Sequence, residues 1–305
     1  HNNVRATLTA EKSIEDHNIT ILAGASQEER HAKNFMAYRD SIDVNYPVLS
    51  TGSASNQSVS GGEDRFVLRS FFARANYNYK QKYLFEFNIR HDGSSRFAKG
   101  NKWATFPSVS AGWRISEENF MESTRNWLSN LKLRTSFGVT GNNAGVGPYD
   151  TQALANIKYY YNYGGTVANG FGYTMINPDL TWEKTVEFNV GLDFGLFNNR
   201  INGTIDLYNK NSSDLLMEMQ TPFELGSYTG AIISNVGKVN NKGIEIQLNT
   251  LNVQTKDWNW ETSFSFARNI NTIKELNGGK EDLVGNKWFI GQPIDVVYGL
   301  SLIHI

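Results

Sequence analysis

The residues of this chain whose types could do chemistry are scattered along it. The five histidines are His1, His17, His31, His91 and His304. The chain has no cysteine and no HExxH, GxSxG, P-loop or GxGxxG motif. The adjacent carboxylates of Glu117 and Glu118 suit a helix start better than an acid/base couple. We therefore predict no covalent chemistry, no metal site and no cofactor.

Two segments carry residues that suit ligand binding. In Arg90–Phe97, turn-forming residues follow the end of a predicted strand, and Asp92 and Arg96 either contact a ligand or pair with each other to hold the loop. The commoner role for such a pair is structural. The segment Gly141–Thr181 is rich in aromatic residues whose rings either stack on sugar faces or pack the loop, namely Tyr149, Tyr159, Tyr160, Tyr161, Tyr163, Phe171 and Tyr173.

The elements that position these residues are strands, because apolar and polar residues alternate with a period of two. From Val186 to Leu196 every second residue is apolar, and the residues between are polar or glycine. About 9–11 tilted residues of this kind cross the hydrocarbon core of a bilayer. Ten such stretches occur, near residues 3–12, 18–27, 66–79, 82–93, 103–115, 130–141, 182–196, 200–215, 235–252 and 257–271.

The connections between these strands alternate in length. Short turns are expected at 13–16, 80–81, 197–199 and 254–256, and long links at 27–65, 93–102, 141–181, 212–234 and 272–293. One connection on the short side, Ser116–Ser129, is longer and suggests a helical turn with Ser116 as its N-cap. Short turns at one rim and long loops at the other are typical of outer-membrane β-barrels.

The side chains of the strands sort into two classes. The polar class is predicted to face a lumen that holds water or a plug; its members are Glu86, Asn88, Arg90, Lys132, Arg134, Glu187, Asn189, Asp193, Glu245 and Gln247. Amphipathic rings gather near the short turns, as at a membrane interface; they are Tyr77, Tyr79, Tyr83, Trp113, Trp127, Trp258 and Trp260. Arg69 and Arg268 fall on the apolar face, and we expect them at the long-loop end, where the headgroups are within reach.

Composition narrows the function classes. The chain has 305 residues, a net charge of −1, 13% aromatic residues and 27 glycines. The near-neutral charge and the lack of a basic run argue against nucleic-acid binding. No apolar run approaches the ~18 residues of a spanning helix. The chain begins at His1, and an open sheet with this much apolar surface would not be stable in water, so we expect a fragment of a larger barrel.

Several segments together resemble the SusC/RagA family of TonB-dependent outer-membrane transporters. They follow one another in the family's order, as Arg90–Phe97, Trp103–Glu118, Trp127–Arg134, Thr140–Asn143, Asn177–Glu183 and Asn235–Ile246. The resemblance implies an all-β fold, with these ten antiparallel strands forming part of a transmembrane barrel of roughly 22 strands. It also implies a Gram-negative outer-membrane location, energy from TonB, a SusD-like surface lipoprotein as partner, and oligosaccharide or peptide cargo.

The resemblance leaves gaps. The chain shows no TonB box, no plug and no closing strand, and residues 301–305 look like a non-native tail after a partial barrel domain of residues 1–300. Two alternatives therefore stay open. One is a passive porin or adhesin built on the same barrel, and the other is a secreted soluble β-protein that binds carbohydrate.

Overall fold

A computed structural model describes residues 1–43, 45–173, 175–222, 224, 230–279 and 281–299. For residues 155–161, 163 and 167–173 it describes the backbone alone. Among the described residues, no helix combines the length and the hydropathy that crossing a membrane would require.

Ten strands form one antiparallel sheet, in which each strand pairs with its neighbours in chain order. A two-stranded hairpin, β7–β8, is inserted between β6 and β9. The twelve strands are β1 (Asn2–Ile14), β2 (His17–Arg39), β3 (Gln57–Tyr79), β4 (Tyr83–Ser94), β5 (Trp103–Arg114), β6 (Leu128–Asn142), β7 (Ala155–Tyr163), β8 (Thr166–Tyr173), β9 (Glu183–Leu196), β10 (Ile201–Gln220), β11 (Ala231–Gln254) and β12 (Asn259–Glu275). The ten predicted strands are confirmed, and β1 and β12 are the outer edges of an unclosed sheet.

Several strands are longer than predicted. The link predicted at 27–65 is mostly a β-ribbon, because β2 runs to Arg39 and β3 begins at Gln57. The link predicted at 212–234 shortens in the same way, since β10 reaches Gln220 and β11 begins at Ala231. The segment predicted as a loop at 141–181 contains the β7–β8 hairpin. The long-loop end of the sheet therefore carries extended ribbons as well as loops.

The short turns lie where the sequence predicts them. The β3–β4 turn bends through left-handed backbone at Lys80 and Gln81, and the β9–β10 turn does so at Phe197, Asn198 and Asn199. The longer connection between β5 and β6 folds into 3-10 helices at Ile115–Glu117 and Asn119–Thr124. The prediction of Ser116 as an N-cap is wrong, because Ser116 lies inside the first of these helices and its buried Oγ has no hydrogen-bond partner among the residues that the structure describes.

The sheet is a single layer with two unlike faces. We call the face that carries Glu86 and Arg134 the polar face, and the face that carries Phe85 and Leu133 the apolar face. Large side chains on the apolar face are exposed; Phe85, for example, keeps 50% of its accessible surface. Within the described residues no second sheet covers them. The buried core is small and lies at the long-loop end, formed by Phe97, Phe106, Val146, Leu180 and Trp182.

Candidate functional site

The strand register places the predicted lumen-facing residues on one face of the sheet. Glu86 of β4 pairs with Ser110 of β5, and Asn189 of β9 pairs with Ser136 of β6. The side chains also bond to one another along this face: Asn88 donates to Glu86 at 2.7 Å, and Arg74 donates to Asn88 at 2.6 Å. The register puts the other seven predicted residues on the same face, namely Arg90, Lys132, Arg134, Glu187, Asp193, Glu245 and Gln247. These residues form one polar wall.

An arginine bound by two carboxylates lies near the middle of this wall. Arg134 of β6 donates Nη1 and Nη2 to both oxygens of Asp206 at 2.7 and 2.6 Å, and Nε to Asp193 at 2.9 Å. Such a bidentate pair fixes the geometry of both partners. Sequence reasoning did not single out Asp206, although its place between Ile205 and Leu207 puts it on the polar side by parity.

Asp92 is held by a different arginine from the one predicted. Arg90 binds it through Nε at 3.2 Å and Nη2 at 3.1 Å, and Asp92 is only 8% exposed. The predicted pairing of Asp92 with Arg96 is therefore wrong. Positions 90 and 92 lie two apart on one strand and so share a face, whereas residue 96 lies beyond the end of β4.

Arg96 instead binds the segment that follows β6 at the long-loop end. Its Nη1 donates to the carbonyl oxygen of Asn143 at 2.7 Å, and its guanidinium carbon lies 4.5 Å from the ring centre of Phe66. Burial is the main cause that lowers the pKa of Arg96 below its usual value, and the positive charge of Arg30 lowers it further. Its Nε is buried with no hydrogen-bond partner among the described residues.

The long-loop end is tied together by contacts between distant segments. Trp182 packs against Phe97 and Phe106, with ring centres 5.4 Å apart in each case, and donates Nε1 to the carbonyl oxygen of Lys102 at 3.0 Å. Asn235 bonds the backbone of Thr181 through both its amide oxygen and nitrogen, each at 2.9 Å. These residues belong to the segments that carry the family resemblance, and their visible role is to join β5, β9 and β11.

At the short-turn rim, aromatic side chains surround one carboxylate. Glu118 accepts hydrogen bonds from Tyr83 at 2.6 Å, from Trp113 at 3.1 Å and from Lys82 at 3.2 Å. The Tyr83 hydrogen bond is the largest cause that lowers the pKa of Glu118, followed by that from Trp113. The rings and the carboxylate together anchor the β5–β6 connection to the edge of the sheet.

A second aromatic group, not predicted from the sequence, lies on the apolar face near the long loops. Trp103 stacks on His91 at 4.9 Å between ring centres and on Phe71 at 5.9 Å. The sequence does contain a signal for this group, because strand alternation puts all three residues on the apolar face. On the same face, Arg69 donates to Gln27 at 2.8 Å.

The positions of Arg69 and Arg268 along their strands fit the membrane interface at the long-loop end. Arg69 lies ten positions above Tyr79, the lower end of β3, and Arg268 lies nine above Asn259, the lower end of β12. About 9–11 residues of tilted strand cross the hydrocarbon. Their position at the headgroups stays a prediction.

The tyrosines of the inserted hairpin lie outside the described side chains. The backbones of Tyr159, Tyr160, Tyr161 and Tyr163 belong to β7. Tyr149, which precedes the hairpin, accepts a hydrogen bond from the backbone of Arg65 at 3.2 Å and so packs the loop against β3. Across the described part of the chain, no three metal-ligating side chains cluster.

Known proteins resemble the chain over most of its length. The family described as TonB dependent receptor-like, beta-barrel, matches residues 3–297. TonB-dependent receptor SusC of Bacteroides thetaiotaomicron is 35% identical over 274 residues, which are 88% of this chain and 27% of that protein. TonB-dependent receptor P3 of Formosa agariphila is 36% identical over 280 residues, or 90% of this chain and 27% of that protein. The chain thus spans under a third of the length of these relatives.

Solved structures agree on the fold. A chain of the RagAB peptide transporter superposes with a TM-score of 0.82 at 32% identity, over 95% of this chain and 32% of its own length. The outer membrane transporter YddB of Escherichia coli superposes with a TM-score of 0.59 at 11% identity, which bears on the fold alone. With its ten-stranded sheet, the two unlike faces of that sheet and a family match over residues 3–297, the chain belongs to the TonB-dependent receptor β-barrel family and forms part of such a barrel.

Proposed function

We propose that the protein containing this chain imports oligosaccharides or peptides across the outer membrane of a Gram-negative bacterium. The observation that carries the proposal is the pair of unlike faces on one uncovered sheet. The apolar face suits lipid, and the opposite face, with its bonded wall of Glu86, Asn88 and Arg134, suits a wet or filled lumen. A transporter of this kind needs no residue for covalent chemistry.

The proposal includes two partners. One is the TonB complex, which would supply energy through parts of the protein outside this chain, and the other is a SusD-like surface lipoprotein. Similarity to SusC and to RagAB supports both. The tall β2–β3 ribbon supports the second, because it continues twelve residues beyond Arg69 and presents exposed apolar side chains such as Phe35 and Val59.

Two alternatives to an importer are a soluble carbohydrate-binding β-protein and a passive porin. A soluble carbohydrate-binding β-protein would need its apolar faces packed together, and the described part of the chain has one layer with that face exposed. A passive porin uses the same strands, and mixed charges on the polar wall do not favour one ion sign. A passive porin works without TonB, whereas the proposed importer needs the energy that TonB supplies.

The test is an uptake measurement on cells that express the full-length gene product. Labelled oligosaccharides and peptides too large for general porins are supplied to cells with and without TonB. We expect uptake of at least one cargo class that disappears when TonB or the surface lipoprotein is deleted. Equal uptake with and without TonB would overturn the importer proposal in favour of a porin.

A further inference from the structure

Two pairs of arginines lie on or beside the polar face of β1–β4 toward the long-loop end, one pair at Phe72 and the other at Phe66, six positions further up β3. Arg5 and Arg90 approach the ring of Phe72 at 4.9 and 5.7 Å. Arg30 is the cross-strand neighbour of Phe66, and Arg96 lies over the Phe66 ring. We call Arg5, Arg30, Arg90 and Arg96, with Phe66 and Phe72, the arginine patch.

Three carboxylates, those of Asp92, Glu28 and Asp150, lie near the four arginines and leave a small net positive charge; Asp150 acts on Arg96 from a distance. Asp92 is bound to Arg90, and Glu28, which lies on the same face, is 3.0 Å from His1. Within the described residues, the guanidiniums of Arg5, Arg30 and Arg96 form no ion pair. The charge of Arg30 lies close enough to lower the pKa of Arg96. An anion between them would relieve that repulsion.

The height of the patch places it on the side from which cargo arrives. Phe66 lies thirteen positions above Tyr79 on β3, which is more than the 9–11 residues that cross the hydrocarbon. Phe72 lies seven positions above Tyr79, so the patch extends from the upper part of the wall to the region beyond the membrane. Arg30 is exposed there, and within the part of the chain that the structure describes the buried Nε of Arg96 has no hydrogen-bond partner.

We propose that the arginine patch binds carboxylate groups of the cargo, and that the protein therefore selects acidic oligomers. Planar guanidiniums bind carboxylates in a bidentate manner, and those of Arg5, Arg90 and Arg96 lie over the rings of Phe72 and Phe66. The carboxylates come from acidic sugars or from acidic peptide side chains. This inference rests on the proposed import function and names its cargo class.

Binding to the purified full-length transporter tests the proposal. The probes are an oligogalacturonate, the same oligomer with its carboxylates methyl-esterified, an oligoglutamate and an oligoglutamine. We expect one acidic probe to bind about tenfold more tightly than its neutral counterpart, with an affinity that falls as salt rises. The acidic probe that shows this preference identifies the source as sugar or peptide.

Substitutions test whether the preference for acidic probes comes from the arginine patch. Arg30→Gln should weaken binding of the preferred acidic probe about tenfold and leave the neutral probe unchanged. Arg65→Gln is the matched control, because Arg65 lies at nearly the same height on the opposite face and pairs with Glu29 at 2.6 Å. Equal affinity for acidic and neutral probes, no binding of either acidic probe, or an equal effect of both substitutions would overturn the inference.

Uptake by cells separates this inference from the import proposal. TonB-dependent uptake of a neutral oligomer without any preference for its acidic counterpart would leave import standing and overturn the arginine patch as a selector. Loss of TonB dependence for every cargo would overturn import itself, whatever the patch binds.

Discussion

At the scale of single residues, the polar wall depends on paired charges. Arg134 joins β6 to β9 and β10 by binding Asp193 and Asp206, and its side chain keeps about a third of its surface accessible, at 32%. Removing one member of such a group leaves the other charges without compensation, whereas removing the matching charges together restores neutrality. The group therefore allows a clear double-substitution test.

We expect Arg134→Gln to lower the free energy of unfolding by roughly 1–3 kcal/mol, because two carboxylates lose their bound cation. Adding Asp206→Asn to Arg134→Gln should recover part of the loss. Urea unfolding in lipid vesicles, followed by tryptophan fluorescence, measures both. Arg74→Gln is the control, since Arg74 donates a single bond to Asn88 and should cost less. An equal loss for Arg74→Gln and Arg134→Gln would contradict this account.

The rim carboxylate predicts a pH dependence. Because the folded-state pKa of Glu118 lies below its usual 4.5, its hydrogen bonds to Tyr83, Trp113 and Lys82 stabilise the fold above that pH. The contribution is lost as pH falls through the lowered pKa of Glu118. Glu118→Gln should therefore flatten the stability profile on the acid side of pH 4.5, as measured by melting temperature against pH. A variant profile parallel to the wild type would show that Glu118 does not contribute in this way.

At the scale of elements, Trp182 holds the long-loop end together. It is 4% exposed, packs on Phe97 and Phe106, and bonds the backbone of Lys102. Trp182→Ala should cost about 3–5 kcal/mol and make the outer loops sensitive to protease. Trp182→Phe should cost less, because it keeps the ring and loses the hydrogen bond. Trp258, which is 75% exposed at the short-turn rim, is the control, and Trp258→Ala should leave the loops protected.

Side-chain alternation predicts the strands only where the two faces meet different solvents. It gives all ten sheet strands and the short turns, because each of these strands has one mainly apolar and one mainly polar face over part of its length. It does not predict the upper half of β2, from Gln27 to Arg39, where apolar and polar residues do not alternate regularly. The sequence pattern therefore does not predict where the strands end on the long-loop side, and the structure shows it.

The contacts of the site also fall into two groups, those that strand alternation predicts and those that only the structure shows. The pairing of Arg90 with Asp92 is local and could have been deduced from strand parity. The bond from Arg96 to Asn143 joins residues 47 positions apart, and no periodicity in the sequence reports it. The place of the arginine patch likewise depends on the register between β2 and β3, which brings Arg30 beside Phe66.

At the scale of the whole molecule, we propose that the sheet is a wall between lipid and the interior of the barrel. Even positions of β9 such as Phe188 and Val190 would contact lipid, and odd positions such as Glu187 and Asn189 would face the interior. The proposals on import and on acidic cargo both depend on this assignment, because it decides which side chains cargo can reach.

The most direct test uses spin labels at residues 187, 188, 189 and 190 of the full-length protein in lipid. The chain has no native cysteine, so single labels can be introduced cleanly in this region. We predict that labels at Phe188 and Val190 relax rapidly with lipid-soluble oxygen, and that labels at Glu187 and Asn189 are shielded from it. Equal accessibility to oxygen at all four positions would contradict the account.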